Sequence, residues 1–499
     1  MNFARVYSRS LSGVNAPEVS VEVHIAGGLP ALSIVGLAAT SVKESKDRVR
    51  AAIKNAGFDF PPGKIIINLA PADVPKTGGR FDLPIAIGIL AAAGFISTDH
   101  LERYECMGEL ALSGKLRPVT GALPTAIGAA TSGRPLVVPQ ANAEEAALID
   151  DAVIYGAASL LDVSRLYNGE SGCLRVLSRV TDIAPPVVAD MQDVKGHEQV
   201  KRALTIAAAG AHNILLSGPP GTGKSMLAQR LPGILPAMTR AEAIETATLA
   251  SIGRSGFDIQ QWAVRPFRSP HHTASGVALV GGGSPPLPGE ISHAHNGVLF
   301  LDELTEFPAH VLDVLREPME TGSINIARAT SHATFNARFQ LVAACNPCPC
   351  GFAGDDTVVC RCSPDQVARY QARVSGPFLD RIDMIVPVPR IPYADLRKKP
   401  QSIDTSESIR QQVEDCREVQ VKRQGVTNAQ LQTADIEQFC GLSSDNETLM
   451  DTISEQLTLS LRAYMRVLRL ARTIADVAHS GTIERAHILE AVGYRRDGL

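Results

Sequence analysis

The stretch Asn213-Ile-Leu-Leu-Ser-Gly-Pro-Pro-Gly-Thr-Gly-Lys-Ser225 decides the fold class. Its closing residues, Gly218, Pro219, Pro220, Gly221, Thr222, Gly223, Lys224 and Ser225, match the G-x-x-x-x-G-K-[ST] phosphate loop. The apolar run Ile214, Leu215 and Leu216 predicts a buried parallel strand before the loop, and Met226 to Leu231 predicts the start of the helix after it. Glycines let the backbone turn tightly enough to aim its N–H groups at a polyphosphate, and the helix start adds its positive dipole. Lys224 would hold the β- and γ-phosphates of ATP, and Ser225 the Mg2+. The chain therefore reads as a nucleoside triphosphate-binding α/β protein.

Composition narrows the class further. At 499 residues there is room for about three domains. The apolar run Leu83 to Thr98 is interrupted by Pro84, Gly88 and Gly94, so no membrane span is expected. Met1 to Ser10 holds Arg5 and Arg9 and no apolar core of a signal peptide. A formal net charge of -4 argues against a generally basic nucleic-acid coat, which leaves DNA contact to local patches. Nine cysteines, five of them between Cys345 and Cys362, do not form a disulfide framework in a chain without an export signal. The expected compartment is the cytoplasm.

Downstream of the loop, Gly297-Val-Leu-Phe-Leu-Asp302-Glu303 gives an apolar strand ending in two carboxylates. Ligands bind beyond the carboxyl ends of parallel strands, so such a strand delivers acid groups to a Mg-nucleotide site. Asp302 would face the Mg2+ through water, and Glu303 would act as the base on the attacking water. Phe339 to Cys345 predicts another buried strand, with Asn346 at its end. The segment 265–296 is too long and too rich in Gly and Pro for a simple connection. Its centre, Gly276 to Gly283, is a candidate flexible pore loop, and its histidines 271, 272, 293 and 295 match no metal spacing well.

Ser323 to Ala327 and Ala333 to Arg338 suit a hairpin carrying Arg328 and Arg338, which either protrudes to grip DNA or folds back as structure. Cys348, Cys350, Cys360 and Cys362 suit a structural Zn2+ knuckle, although C-x-C pairs depart from the usual C-x2-C, and free buried thiols are the alternative.

In front of this core, Glu18 to His24 and Lys64 to Asn68 predict strands, Thr40 to Asn55 a helix capped by Thr40 or Ser41, and a second helix starts near Leu83. Pro75-Lys-Thr-Gly-Gly-Arg80-Phe-Asp-Leu83 and Met107-Gly-Glu-Leu-Ala-Leu-Ser-Gly-Lys-Leu-Arg-Pro118 resemble stretches of Lon-type protease domains. That family uses a serine activated by a lysine; by position Arg80 stands for the serine and Leu123 for the lysine, so protease chemistry is not expected. Lys76, Arg80 and Lys115 either line a surface for DNA or a partner subunit or are ordinary solvated charges.

The ATPase part resembles AAA+ proteins, and the resemblance implies further roles. Val194 to His197 would wall the adenine, with Val194 and His197 as contacts. Asn346 would be the sensor 1 residue at the γ-phosphate. Gly376-Pro-Phe-Leu-Asp-Arg381-Ile-Asp383 is similar to the arginine-finger segment of the Mg-chelatase and MCM branch, with an ion pair of Arg381 to Asp380 or Asp383 as the alternative. Ser460-Leu-Arg462-Ala-Tyr464 is similar to sensor 2, with Arg466 and Arg469 expected in solvent or at a subunit interface.

The Lon-like front, the phosphate loop, Arg265-Pro-Phe-Arg-Ser-Pro-His-His-Thr273, Asn346-Pro-Cys-Pro-Cys-Gly351 and Arg462-Ala-Tyr464 together resemble the ComM (YifB) family of Mg-chelatase-like AAA+ proteins along essentially the whole chain. The expected fold class is α/β: a Lon-protease-like (S5-type) domain at 1–168 without its catalytic dyad, a linker at 169–191, an AAA+ P-loop core at 192–395 with the cysteine knuckle at 345–362, and a C-terminal helical lid at 396–499. The resemblance implies a hexameric, ATP-driven DNA motor that promotes branch migration when incoming single-stranded DNA is integrated in natural transformation. The rivals are a magnesium-chelatase-type motor, an ATP-dependent protease and a non-catalytic scaffold. Arg80 and Leu123 disfavour the protease, and the set Lys224, Asp302, Glu303, Asn346 and Arg381 disfavours the scaffold.

Overall fold

Period-two alternation builds the first sheet. In Phe3–Arg9, Glu18–Ala26 and Lys64–Ala70 the residues Val6, Val19, Val21, Val23, Ile65, Ile67 and Leu69 all point to one buried face. The computed structural model describes the chain except residues 1, 37, 38, 40, 41, 43, 178–188, 329, 330, 356, 393–404 and 497–499. These three strands pair antiparallel in an eight-stranded mixed sheet, ordered Leu174–Val176, Ile154–Ala157, Leu136–Pro139, Glu105–Cys106, Phe3–Arg9, Glu18–Ala26, Lys64–Ala70, Ala31–Val35. The helix Asp82–Ala92 is apolar on every side and wholly buried, which fits its seat across the first two strands. Gly88 makes that seat possible, since a Cβ there would lie 2.6 Å from Val23 Cγ2. The helix expected over Thr40–Asn55 runs over Ser45–Asn55 with Val49, Ala52 and Ile53 buried; the expected caps Thr40 and Ser41 lie outside the described residues.

Lys76 and Arg80 do not line a surface. Lys76 is 0% exposed and donates to the carbonyl of Pro71, and Arg80, 4% exposed, donates to the carbonyls of Arg9 (3.1 Å) and Thr120 (2.5 Å). A buried cation needs such acceptors, and burial pushes the Arg80 guanidinium down to about 10. Lys115 is exposed. Leu123 is fully buried where helix Ala122–Thr131 meets helix Arg240–Ile252, in a small core with Leu148, Ala243, Ala247 and Trp262. Ser251 accepts there from Gly121 N–H (2.9 Å, to its carbonyl) and Leu123 N–H (3.4 Å, to its hydroxyl).

The second sheet is parallel throughout, in the order Phe267–Arg268, Val298–Leu301, Gln340–Cys345, Ile214–Ser217, Met384–Pro387. The strands Val298–Leu301 and Gln340–Cys345 are buried along their whole length because both sheet faces are covered. The order places the phosphate-loop strand between the strand ending at Asn346 and Met384–Pro387, so the loop and the acid groups emerge at one edge. Helices Ser406–Gln424, Thr433–Phe439, Ser444–Leu457, Leu461–Val477 and Arg485–Arg496 form the C-terminal part. Val467, Leu470, Ala471 and Ile474 join the same core as Val200, Leu204, Ile214 and Leu216. One apolar core therefore spans the C-terminal helices and the strand before the phosphate-loop motif.

One insertion differs from expectation, and the other takes the second of its two expected forms. Gly276–Gly283 is folded rather than flexible: Gly276–Val280 is a short helix with Leu279 fully buried, and Gly281–Gly282 pairs antiparallel with Leu287–Pro288. Ser323–Arg328 and Ser331–Asn336 do pair as a hairpin, but not as a free-standing one. Ile324, Ile326, Ala333 and Phe335 form a buried face within a core against which Leu11 and Val14 also pack. The other face presents Asn325, Ala327, His332, Thr334 and Asn336. The side chain of Arg328 lies outside the described residues, and Arg338 is exposed at the hairpin base beside Gly322.

Candidate nucleotide site

The loop between Ser217 and Lys224 turns through left-handed Gly221 (φ 77°) and Gly223 (φ 87°), conformations that β-carbon-bearing residues resist. Lys224 is buried and its Nζ donates to Gly218 O (2.7 Å), Pro219 O (2.9 Å) and Asn346 Oδ1 (3.1 Å). Burial lowers its pKa, with Cys345 and Asp302 acting the other way. Ser225 Oγ donates to Asp302 Oδ2 (2.6 Å), and Asp302 Oδ1 accepts the N–H of Glu303 (2.9 Å). Lys224, Ser225, Asp302 and Asn346 thus meet around one loop, as expected from sequence. The hydroxyl and carboxylate oxygens of Ser225 and Asp302 are the hard donors that Mg2+ prefers, so the residues fit that ion.

Glu303 follows with a left-handed backbone (φ 52°) at the start of the short helical turn Leu304–Glu306. Its side chain is 57% exposed and meets His272 Nδ1 at 3.2 Å. In sequence His272 stands out only as one of four histidines with no good metal spacing, and nothing there pairs it with Glu303. His271 stacks on it with ring centroids 4.1 Å apart. The remaining histidines go elsewhere: buried His295 pairs with Glu245 (2.9 Å) and accepts Arg338 N–H, and His293 is partly buried near Arg268 and Glu290.

His197 hydrogen-bonds the backbone of Thr222, which puts it beside the loop, whereas Val194 is buried in the core shared by the parallel sheet and the C-terminal helices. Burial lowers the His197 pKa.

Arg381 and Arg462 are not brought to this cluster. Arg381 is buried, donates to Pro377 O (2.6 Å) and Arg316 O (3.2 Å), and pairs with Glu320 at 2.6 Å rather than with Asp380 or Asp383. Arg462 pairs with the same Glu320 (2.9 Å). Glu320, invisible as a site residue in sequence, thereby ties the C-terminal helix Leu461–Val477 to the Gly376–Asp383 segment. Arg466 is neither solvated nor free: it reaches Asp383 at 3.1 Å, with both side chains 12% exposed. Asp383 also accepts Asn213 N–H (2.9 Å). Burial pushes the Asp383 carboxyl up, but Arg466, His212 and Asn213 more than offset it and hold it well below the usual range. Arg469 is likewise partly buried, which lowers its pKa.

Cys348, Cys350, Cys360 and Cys362 place their sulfurs within 4.8 Å of one another, with Cys348–Cys350, Cys348–Cys360 and Cys350–Cys360 at 3.3, 3.7 and 3.5 Å. Four thiolates at about 2.3 Å from a tetrahedral Zn2+ have edges of about 3.8 Å. Backbone N–H groups of Ala353 and Cys362 point at the sulfurs of Cys348 and Cys360, as outer-shell donors to metal thiolates do. The residues fit a closed four-sulfur site. Cys345 stays apart at the end of its strand, where burial pushes its thiol up to about 11.

Comparison with known proteins agrees along the chain. The family model described as magnesium chelatase, subunit ChlI, matches residues 190–396; subunit ChlI of Mg-chelatase matches 21–142, and its C-terminal model matches 403–495. Competence protein ComM of Haemophilus influenzae is 49% identical, over 99% of this chain and 98% of its own. YifB of Salmonella typhimurium and YifB of Escherichia coli are 48% and 49% identical, each over 99% of this chain and 97% of their own.

Proposed function

The chain belongs to the ComM/YifB family of Mg-chelatase-like proteins, and from that premise we propose that it is an ATP-driven AAA+ motor that promotes branch migration of DNA during integration of single strands in transformation and recombination. The observation that carries the ATPase reading is the convergence of Lys224, Ser225, Asp302 and Asn346 on one phosphate loop. Ser225 and Asp302 would hold Mg2+, which would neutralise charge on the phosphates. Lys224 exchanges the carbonyls of Gly218 and Pro219 for phosphate oxygens. Asn346 orients the γ-phosphate, and Glu303 takes the proton of the attacking water. Val194 and His197 wall the base.

Arg381 and Arg462, bound to one carboxylate, form an arginine pair that serves the ATP of the neighbouring subunit, in a homo-oligomeric and hexameric ring. The cysteines 348, 350, 360 and 362 hold a structural Zn2+. The first domain is a Lon-like fold without protease chemistry, its serine and lysine positions held by Arg80 and Leu123. Among the described residues no helix is long and apolar enough to cross a membrane. None of the nine cysteines is in a disulfide, as suits a reducing compartment, and the cytoplasm is the proposed one. Arg328 and Arg338 are the proposed DNA contacts.

DNA-dependent ATP turnover tests the reading. Stimulation by branched or single-stranded DNA that vanishes in Lys224→Ala is expected. Turnover indifferent to DNA but responsive to a protein or metal-insertion partner would favour the chelatase-type motor instead.

A further inference from the structure

The cysteine segment touches the phosphate loop. Gly351 sits between the paired cysteines in a left-handed conformation (φ 85°), and a Cβ there would lie 2.6 Å from Pro220 Cδ and 3.2 Å from its Cγ. Its N–H donates to Cys348 O at 2.9 Å, closing the turn. Just upstream, Cys345 O accepts Gly218 N–H (3.3 Å) and Asn346 accepts Lys224 (3.1 Å). Residues 345–351 therefore meet the loop at Gly218, at Pro220 and at Lys224. The far side of the segment is held as well: Gln371 Nε2 donates to Pro347 O (3.2 Å), Asp355 pairs with Arg390 (2.9 Å), and Arg390 lies over the Phe352 ring at 5.3 Å.

A turn of Pro and Gly with no strand or helix of its own keeps its shape only if something fixes its ends. The sulfurs of Cys348 and Cys350 stand on either side of Pro349, and those of Cys360 and Cys362 close the other end of the segment. We propose that the metal held by these four thiolates is a brace for the nucleotide site: it locks the 347–351 turn against Pro220, and so sets the loop and the Asn346–Lys224 contact in the geometry that receives the phosphates. Nucleotide affinity then depends on metal occupancy although no metal ligand touches the nucleotide. The inference rests on the structural-zinc reading above. It adds the contact through Gly351 as the means by which the metal acts.

The test uses the full-length protein. Zinc per chain is measured by elemental analysis, and affinity for a fluorescent ATP analogue by equilibrium titration. Both are read on protein as purified, after stripping with a chelator, and after zinc is restored, with circular dichroism as a check on fold. Stripping is expected to weaken nucleotide binding on the order of tenfold, the lower end of what outer-shell losses cost, and zinc to restore it. Gly351→Ala should keep its zinc and show a similar loss. Should that variant misfold, Pro220→Ala removes the same contact from the other side without left-handed strain.

Full zinc and unchanged affinity in both contact variants, or unchanged affinity after stripping, overturns the brace and leaves the zinc reading intact. A protein that neither contains nor takes up zinc overturns both. Failure of the metal-loaded wild type to bind nucleotide at all overturns the ATPase reading instead.

Discussion

Removing the Asp383 carboxylate should loosen the lid from the nucleotide-binding sheet. Asp383 holds Arg466 at 3.1 Å and the N–H of Asn213, the residue before the phosphate-loop strand, at 2.9 Å, and His212 Nδ1 lies 3.6 Å away. Arg466 and Asp383 side chains are each only 12% exposed, so Asp383→Ala strands a nearly buried cation and an amide together. Losing one partner of a buried ion pair costs about 3–5 kcal/mol, well above the value of a surface pair.

Hydrogen exchange in helix Leu461–Val477 reads the effect locally, and amides there that open with the lid should exchange about a hundredfold faster or more. Asp383→Asn keeps an acceptor for Asn213 and should fall between. The pH dependence has a defined sign. The folded pKa of Asp383 lies below its unfolded value near 3.9, so the stabilisation is complete above about pH 5 and is lost as pH falls through and below 4. The alanine variant should lack that acid-linked loss. A change under about 1 kcal/mol, with unaltered exchange in the helix, would refute the idea that this pair latches the lid.

Glu303→Gln should lower ATP turnover by about 10^2–10^4-fold while nucleotide binding persists; equally poor binding would remove Glu303 from the role of base. Arg381→Ala should cut turnover by about 10^3-fold or more, and mixing it with Glu303→Gln subunits should restore part of the rate, because each defective partner supplies what the other lacks across an interface. No recovery on mixing would place Arg381 in its own subunit's structure alone. Burial holds His293 and His295 below the ordinary histidine value, so their contribution is present above about pH 6.5 and is lost as pH falls below it. Thermal midpoints of wild type should therefore drop between about pH 7 and 5, and His295→Asn should flatten that slope.

Much of the nucleotide site was legible because its chemistry is local: Gly218 to Ser225 is one continuous motif, and Asp302 and Asn346 each end an apolar strand whose direction fixes where they emerge. Arg381 and Arg466 were less so. Their partners Glu320 and Asp383 are chosen by packing between segments far apart in sequence, and no spacing rule announces such pairs. The buried fate of Lys76 and Arg80 was hidden for the same reason, since a charge in a Gly-rich stretch reads as solvated until carbonyls such as those of Arg9 and Thr120 are seen to converge on it. The hairpin's alternation, with Ile324 and Ile326 facing Ala333 and Phe335, did carry the signal for a packed face. Arg328 and Arg338, at the ends of the two strands, equally suit a protruding hairpin, so sequence alone leaves both forms open.

The most direct test of the motor claim is migration of a labelled synthetic DNA junction by the purified protein, with and without ATP, beside Lys224→Ala. The account predicts ATP-dependent strand displacement that disappears in the variant. ATP hydrolysis with no junction movement and no stimulation by DNA would contradict it.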